Sequence, residues 1–252
     1  MTGEEEAAAQ VLRDPRWLVL PPRERALAGL ATLLAEAPWT LEDEDVERLR
    51  AASLSDEEIA HAVAIVGMFS HFTRAADATA ITPDYTSPLP RLEIDMSREP
   101  FPRPALDDWP RRPARLQFDR LLPDIAGGFA RWRDYVFTAT AALSEQDRAT
   151  LARATAFQLC DAGALPEDAQ EAQHTQHTQH TQHAHARPGS PRSPREVTLA
   201  GFAEKLTLTP WRMEQADVEA LRSVGLDDRA VLHAIAVVGY QNQASRVRLA
   251  LG

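Results

Sequence analysis

Apolar residues recur every three or four positions along most of this chain, a spacing that predicts amphipathic α-helices. Between Pro22 and Pro38, which favour a helix start and a helix stop, the leucines form one apolar stripe and predict a helix over 23–36. A second helix is predicted to begin near Thr40, because an acid, Asp43, follows three residues later as in a capping box.

The third helix of this region has the strongest sequence signals. Ser55 and Glu58 form a capping box, and the run that follows, from His61 to Gly67, is apolar nearly all round. A helix without a polar face is a buried helix. We therefore expect this helix to be the central one of its region.

The whole region 22–80 resembles residues 194–252, to which it aligns with a constant offset of 172 residues and no gap. About 25 of the 59 aligned positions are identical, which indicates an internal duplication. In the second copy Asp227 takes the capping position of the buried helix. The expected fold is all-α, with two pseudo-repeated helical lobes whose buried helices, 56–77 and 228–248, pack together near a pseudo-twofold axis.

Four residue types in the buried helix are identical in the two copies. A functional interpretation makes the histidine a proton relay and the arginine an anion clamp. A structural interpretation has the glycine allow close helix crossing, the histidine form a satisfied buried polar group, and the arginine pair with a carboxylate on a neighbouring helix. We favour the structural one, because a duplicated helix most often retains its packing. The residues are His61 and His233, Gly67 and Gly239, Arg74 and Arg246, and Asp56 and Asp228.

The segment between the two copies has an extended part followed by two predicted helices. Residues 81–125 are dense in proline and arginine and predict an extended strap, whose aromatic residues indicate that it lies on a surface. Helical periodicity resumes over 124–141. A further helix is predicted from about 145 to 161, and it carries Cys160.

A polar low-complexity tract occupies residues 170–193 and repeats the triplet His-Thr-Gln. In a helix, histidines three residues apart would share a face and could chelate a divalent metal ion. A repeated tripeptide is also the product of replication slippage, and such a tract cannot bury a core. We favour the second interpretation and assign neither a metal site nor a cofactor.

Composition narrows the function classes. The net charge of −10 argues against non-specific nucleic-acid binding, which requires a basic face. We find neither a secretory signal nor an apolar run long enough to span a bilayer. A single cysteine cannot form an internal disulfide bond. The expectation is therefore a cytoplasmic protein with no nucleic-acid partner and no membrane segment.

Several motifs follow one another along the chain in an order typical of a known protein family. They are the helix with Ala130-Arg131-Trp132, the cap at Leu143-Ser144, the helix that reaches Cys160, the segment Thr198–Gly252, and Ile81-Thr82-Pro83-Asp84-Tyr85 after the first copy. This order resembles the alkylhydroperoxidase D / carboxymuconolactone decarboxylase superfamily, in particular its peroxidase-related branch. The resemblance implies an all-α fold and a tendency to form homo-oligomers.

The resemblance also implies a domain organisation. It covers the C-terminal half as a full unit and the first copy as a unit without its Cys-bearing part. We expect an N-terminal helical lobe at 1–95, a Pro/Arg-rich linker at 96–123, and a C-terminal alkylhydroperoxidase D-like domain at 124–252. The His-rich tract, 170–193, would be a loop of that domain.

Active members of the family carry a Glu, a CxxC pair and a His three residues beyond it, and the implied reaction is dithiol-dependent reduction of hydroperoxides. Cys160 stands at the first Cys position. The second Cys position is Gly163 and the His position is Glu167. At the Glu position the chain has Arg148, with Asp147 beside it.

These matches favour a peroxidase-related protein that is catalytically degenerate, or a one-Cys thiol peroxidase with Cys160 as its catalytic residue and an external thiol as reductant. The alternative is a non-catalytic helical binding protein, or a partner of an intact paralogue. Cys160 itself has two interpretations. It is either a remnant nucleophile or a buried core residue, and the sequence favours the core residue.

Overall fold

The computed structural model describes residues 20–81, 96–110, 116–138, 142–165 and 193–252. Within these ranges the regular secondary structure is helical throughout, which confirms the all-α prediction. The α-helices are α1 (Pro22–Glu36), α2 (Asp43–Ala51), α3 (Asp56–Thr79), α4 (Phe118–Leu121), α5 (Pro123–Thr138), α6 (Glu145–Gln158), α7 (Pro194–Leu208), α8 (Gln215–Ser223) and α9 (Asp228–Leu251). In these ranges we find no helix with both the length and the apolarity needed to cross a membrane.

The two copies fold into the same succession of helices. The bounds of α1, α2 and α3 become those of α7, α8 and α9 when 172 is added to each residue number. Both predicted caps of the long helices are confirmed. The Ser55 hydroxyl accepts a hydrogen bond from the Glu58 N–H at 3.2 Å, and the Asp227 carboxylate accepts one from the Ala230 N–H at 2.8 Å.

The predicted start of the second helix is wrong by three residues. Pro38–Thr40 form a single 3₁₀ turn that buries Trp39, and α2 begins at Asp43. The Glu42 N–H donates to the Asp45 carboxylate at 2.7 Å, so the capping acid lies two residues later than expected. Proline at the first position of the turn starts a tight 3₁₀ turn as readily as an α-helix, and the sequence pattern does not separate the two.

The predicted helix over 145–161 is wrong at its end. α6 stops at Gln158, and Cys160 follows it with a positive φ of 57°. A residue in the left-handed conformation just after a helix ends that helix, and the position usually belongs to glycine. The helix predicted over 124–141 is confirmed for its described part, Pro123–Thr138.

Contact between α3 and α9 is the most extensive between any two described helices, and it confirms the predicted packing of the two buried helices. Gly67 faces Gln243 and Val247, whereas Gly239 faces His71, so the two helices run antiparallel. A Cβ atom added at Gly239 would lie 2.5 Å from the His71 Nδ1 atom. The predicted role of these glycines in close helix crossing therefore agrees with the structure.

A buried arginine of each long helix donates hydrogen bonds to carbonyl groups of the other copy. Arg246 of α9 donates through Nε to the Leu34 carbonyl of α1 at 2.9 Å and through a second nitrogen to the Ala35 carbonyl at 3.2 Å. Arg74 of α3 donates to the Thr207 carbonyl of α7 at 2.9 Å. Thr207 and Ala35 are equivalent in the repeat, so both arginines make this contact, whereas the Nε contact of Arg246 has no counterpart at Arg74.

These contacts correct the expectation that each arginine pairs with a carboxylate. The acceptors are carbonyls of the last turns of α1 and α7, which have no partner within their own helices. A cation is stabilised there by the helix dipole as well. Burial lowers the pKa of Arg74 to about 10 and holds the pKa of Arg246 well below its usual range.

The expectation that both histidines are satisfied buried groups is met in part by one copy, whose histidine is half-buried and hydrogen-bonded, and is wrong for the other. In α9 the Nε2 atom of His233 lies 2.6 Å from the Val136 carbonyl oxygen of α5. In α3 the equivalent His61 is exposed. The difference arises because α5 packs on α9 at this position.

The two copies share their cores. The core of α1 and α2 also contains Val247, Ala250 and Leu251 from the end of α9. The core of α7, α8 and α6 contains Ala78 from the end of α3. The packing therefore crosses the predicted boundaries of the N-terminal lobe and the C-terminal domain, a division that itself stays a prediction.

Gly239→Ala is expected to lower the free energy of unfolding by about 1–3 kcal/mol, because the added methyl group overpacks the helix crossing. Gly201→Ala in α7 is the matched control, since nothing lies within 4 Å of its added Cβ. Alanine favours helix by about 1 kcal/mol, so the control should be neutral or stabilised. Urea unfolding followed by circular dichroism measures both variants, and equal effects would contradict the close crossing.

Candidate functional site

Cys160 lies in a third apolar cluster, between the end of α6 and the first copy. Its side chain is 0% exposed. The cluster includes Trp39 from the 3₁₀ turn after α1, Leu159 from the end of α6, and Leu249 from α9. The thiol is therefore surrounded by apolar side chains drawn from both copies.

The Pro/Arg-rich strap covers this cluster. The ring of Trp109, itself buried, packs edge-on against the ring of Phe157 with the centroids 5.1 Å apart. The guanidinium of Arg103 lies 5.7 Å from the centroid of the same ring. The predicted position of the strap on a surface is confirmed for residues 96–110, and the surface is the one above Cys160.

The strap contacts both copies through hydrogen bonds and an ion pair. Arg212, in the 3₁₀ turn before α8, donates to the carbonyl oxygens of Met96 at 2.9 Å and of Arg98 at 2.7 Å. Arg98 forms an ion pair with Glu36 of α1. The prediction that 81–125 contains no helix is wrong at Phe118–Leu121, which form α4.

The surroundings of Cys160 suppress its ionisation. Burial raises the pKa of the Cys160 thiol to about 12, and the positive charge of Arg103 opposes this rise without cancelling it. A thiol with such a pKa is almost entirely protonated at pH 7. Since the thiolate is the nucleophile, this environment is the opposite of that around reactive cysteines.

Asp147, the acid beside Arg148, has a structural role. Asp147 accepts two hydrogen bonds from the Arg195 guanidinium of α7, at 2.9 and 3.0 Å, and it caps α6 together with Ser144. Arg195 and Ser144 hold the pKa of Asp147 below its usual range. Because the folded-state pKa is lowered, this pair stabilises the protein above about pH 4, and the contribution is lost as the pH falls further.

The sequence analysis did not predict the buried polar cluster next to Cys160. Asp161 is buried and forms an ion pair with Arg248 of α9, and Ser245 also donates to its carboxylate. Burial raises the pKa of Asp161, and Arg248 and Ser245 oppose that rise. The signal in the sequence was the polar run at 241–246 inside an otherwise apolar helix.

The remaining site predictions have different outcomes. Gly163 lies near Arg248, whereas Glu167 and residues 170–192 of the His-rich tract lie outside the described residues. In the described ranges no group of three or more His, Cys, Asp or Glu side chains could hold a metal ion.

A groove of about 560 Å³ lies between α1 and α2 of the first copy. It is lined mainly by apolar side chains, among them Leu30, Leu33 and Leu49. The residues equivalent to Leu30 and Leu33 in the second copy are Phe202 and Lys205. Lys205 reaches the Asp217 carboxylate at 2.7 Å, and this ion pair crosses the equivalent space.

We compared the chain with protein-family models, with curated protein sequences and with solved structures, and nothing matches. The site must therefore be interpreted from its own geometry.

Proposed function

We propose that this chain is a non-catalytic helical binding protein that has the fold of the alkylhydroperoxidase D / carboxymuconolactone decarboxylase superfamily and has lost its dithiol reaction. One observation carries the proposal. Cys160 is fully buried beneath the strap, in surroundings that keep its thiol protonated. A nucleophile must meet its substrate and must ionise, and this thiol is placed to do neither.

The position of the missing second cysteine supports the loss of the reaction. A Cβ atom added at Gly163 would lie 3.1 Å from Cδ of Arg248 and 3.6 Å from an oxygen of Asp161. A side chain added at this position would therefore press against Arg248, which is paired with Asp161. Without a second thiol, a sulfenic acid on Cys160 would have to be reduced by an external thiol passing beneath the strap.

The binding function is supported by the groove between α1 and α2. Its volume of about 560 Å³ lies within the range of small-molecule sites. Its apolar lining favours a small apolar ligand. A paralogous partner and an external thiol reductant stay predictions from the family resemblance.

Hydroperoxide consumption in the presence of dithiothreitol tests the loss of the reaction. We expect no turnover above the protein-free rate for either the wild type or Cys160→Ser, because the protonated, covered thiol does not attack the peroxide oxygen. Turnover by the wild type that disappears in Cys160→Ser would overturn the proposal and establish a one-Cys peroxidase. Turnover in both proteins would also overturn it and would place a reaction elsewhere.

Binding of N-phenyl-1-naphthylamine, a neutral apolar fluorophore, tests the groove. Leu33→Lys should weaken saturable binding more than tenfold, because the new ammonium group can cross the groove to Asp45 as Lys205 crosses to Asp217. Ala35→Lys adds the same charge at an exposed position that does not line the groove, and it should bind like the wild type. Equal affinity of the two variants would contradict a ligand site here.

A further inference from the structure

A cavity in the second copy lies where the last turn of α3 meets α8 and the first half of α9. Its volume is about 330 Å³, which is within the range of small-molecule sites. This space, called the α3-end cavity, shares no residue with the groove between α1 and α2. Its apolar floor is formed by side chains of α8, α9 and the segment before α8, namely Met213, Val218, Val231, Leu232 and Ile235.

The internal repeat shows how the first copy fills the equivalent space. The residues equivalent to the floor are all buried, and they share an apolar cluster with Leu116 and Leu122, which flank α4. The Leu116 N–H also donates to the Leu251 carbonyl at the end of α9, at 3.0 Å. The segment around α4 therefore covers this place in the first copy. The residues equivalent to the floor are Leu41, Val46, Ile59, Ala60 and Val63.

Among the described residues, the second copy has no such cover. Met213 and Val218 are half-buried, and Leu232 is 59% exposed. The Thr79 carbonyl, which is equivalent to that of Leu251, accepts no hydrogen bond from a described residue. An apolar floor that leucines cover in the first copy is therefore open in the second, and the apolar part of a ligand would cover it.

Most charged residues around the α3-end cavity have structural partners that recur in the first copy. Arg222 donates to the Asp228 carboxylate at 2.6 Å, as Arg50 donates to Asp56 at 2.8 Å. Glu214 caps the start of α8, as its equivalent caps the start of α2. Since the first copy has the same arrangement without an open cavity, these residues are explained by the helices themselves.

Asp77 is the exception, because the first copy has no acid at its position. The equivalent residue is Leu249, which is buried in the cluster around Cys160. Asp77 is exposed at the rim of the cavity, and its carboxylate has no hydrogen bond or ion pair with a described residue. Partial burial raises the pKa of Asp77, and the charge of Arg74 opposes that rise. The carboxylate is thus partly withdrawn from water with no cation in contact, and a bound cation would compensate for that cost.

Main-chain carbonyls at the end of α3 add acceptors beside this carboxylate. Asp77, Ala78 and Thr79 all line the cavity. The carbonyls of a last helical turn have no partner within the helix and carry the negative end of its dipole. No described residue donates a hydrogen bond to these three carbonyls. An ammonium group has three N–H donors and a positive charge, so it complements both kinds of acceptor, whereas an anion would be repelled.

We propose that the α3-end cavity binds a small organic cation, with the ammonium group of a primary amine at Asp77 and the apolar body of the amine on the floor formed by α8 and α9. Such a ligand provides the apolar cover that the leucines beside α4 provide in the first copy, together with the positive charge that Asp77 lacks. The site does not depend on the proposed function, because the cavity shares no residue with the groove or with the cluster around Cys160.

Methyl NMR of the full chain, labelled with ¹³C-methyl methionine, measures binding at this site directly. Met213 lines the cavity whereas Met68 and Met96 do not, and the spectrum of Met213→Leu identifies its signal. The probes are 2-naphthylmethylamine, the neutral 2-naphthylmethanol and the anionic 2-naphthoate, at neutral pH. We expect the amine to shift the Met213 signal saturably with at least tenfold higher affinity than the alcohol, because its hydrogen bond to the carboxylate is charge-assisted. Naphthoate should leave the signal unchanged.

Asp77→Asn tests the carboxylate. It removes the charge and retains the size of the side chain, so the affinity for the amine should fall at least tenfold and that for the alcohol should change less than twofold. Asp134→Asn is the matched control, because Asp134 is an exposed acid of α5 that does not line the cavity, and it should bind the amine like the wild type. Circular dichroism of both variants should match the wild type, since both residues are exposed.

Val218→Trp tests the floor, since the larger side chain would occupy the cavity and should weaken binding of both the amine and the alcohol at least tenfold. Equal affinities of the wild type for the amine and the alcohol would overturn the proposal. So would an unchanged affinity for the amine in Asp77→Asn, or a Met213 signal that the amine does not shift. Fluorophore binding to the groove and hydroperoxide turnover are measured separately, so failure of the proposed function is distinguishable from failure of this site.

Discussion

The close crossing of α3 and α9 is the contact on which the rest of the structure depends. Glycines at equivalent positions of the two helices let the backbones approach, and a buried arginine of each helix reaches the last turn of a helix in the other copy. Burying a guanidinium is costly unless its donors are satisfied. All three guanidinium nitrogens of Arg246 donate hydrogen bonds, whereas Nε of Arg74 has no partner among the described residues. The accepting carbonyls of the other copy are ones that the ends of α1 and α7 leave without a partner.

The duplication also explains why the two copies differ. In the part of the chain that the structure describes, α5 and α6 pack on α9, and no equivalent pair packs on α3. In the second copy this face of the central helix is covered and carries the Arg248–Asp161 pair at its end. In the first copy it is apolar and exposed. Cys160 lies where α6, α9 and the turn after α1 meet, and the strap covers that junction.

Local signals in the sequence predicted local structure well. The caps at Ser55 and Asp227, the buried character of α3 and α9, and the equivalence of the two copies all follow from residue types at fixed spacing. Helix ends set by tight turns were less predictable. The shift of α2 and the early end of α6 at Cys160 depend on backbone conformations that no side-chain pattern encodes.

Properties that depend on tertiary contacts could not be predicted from one sequence. His61 and His233 are identical in type and differ in burial because α5 packs on one of them. The acceptors of Arg74 and Arg246 are main-chain carbonyls, which carry no sequence signal. The position of the strap above Cys160 results from Trp109 and Phe157, which are far apart in the chain.

The reaction of Cys160 with a disulfide reagent, measured as a function of urea concentration, tests the central claim that the thiol is part of the core. The rate gives the free energy of the opening that exposes Cys160. We predict that this value equals the free energy of global unfolding from circular dichroism and falls with the same dependence on urea. A much smaller opening free energy that urea hardly changes would show that the strap lifts from the folded protein, and it would contradict a sealed, non-catalytic cysteine.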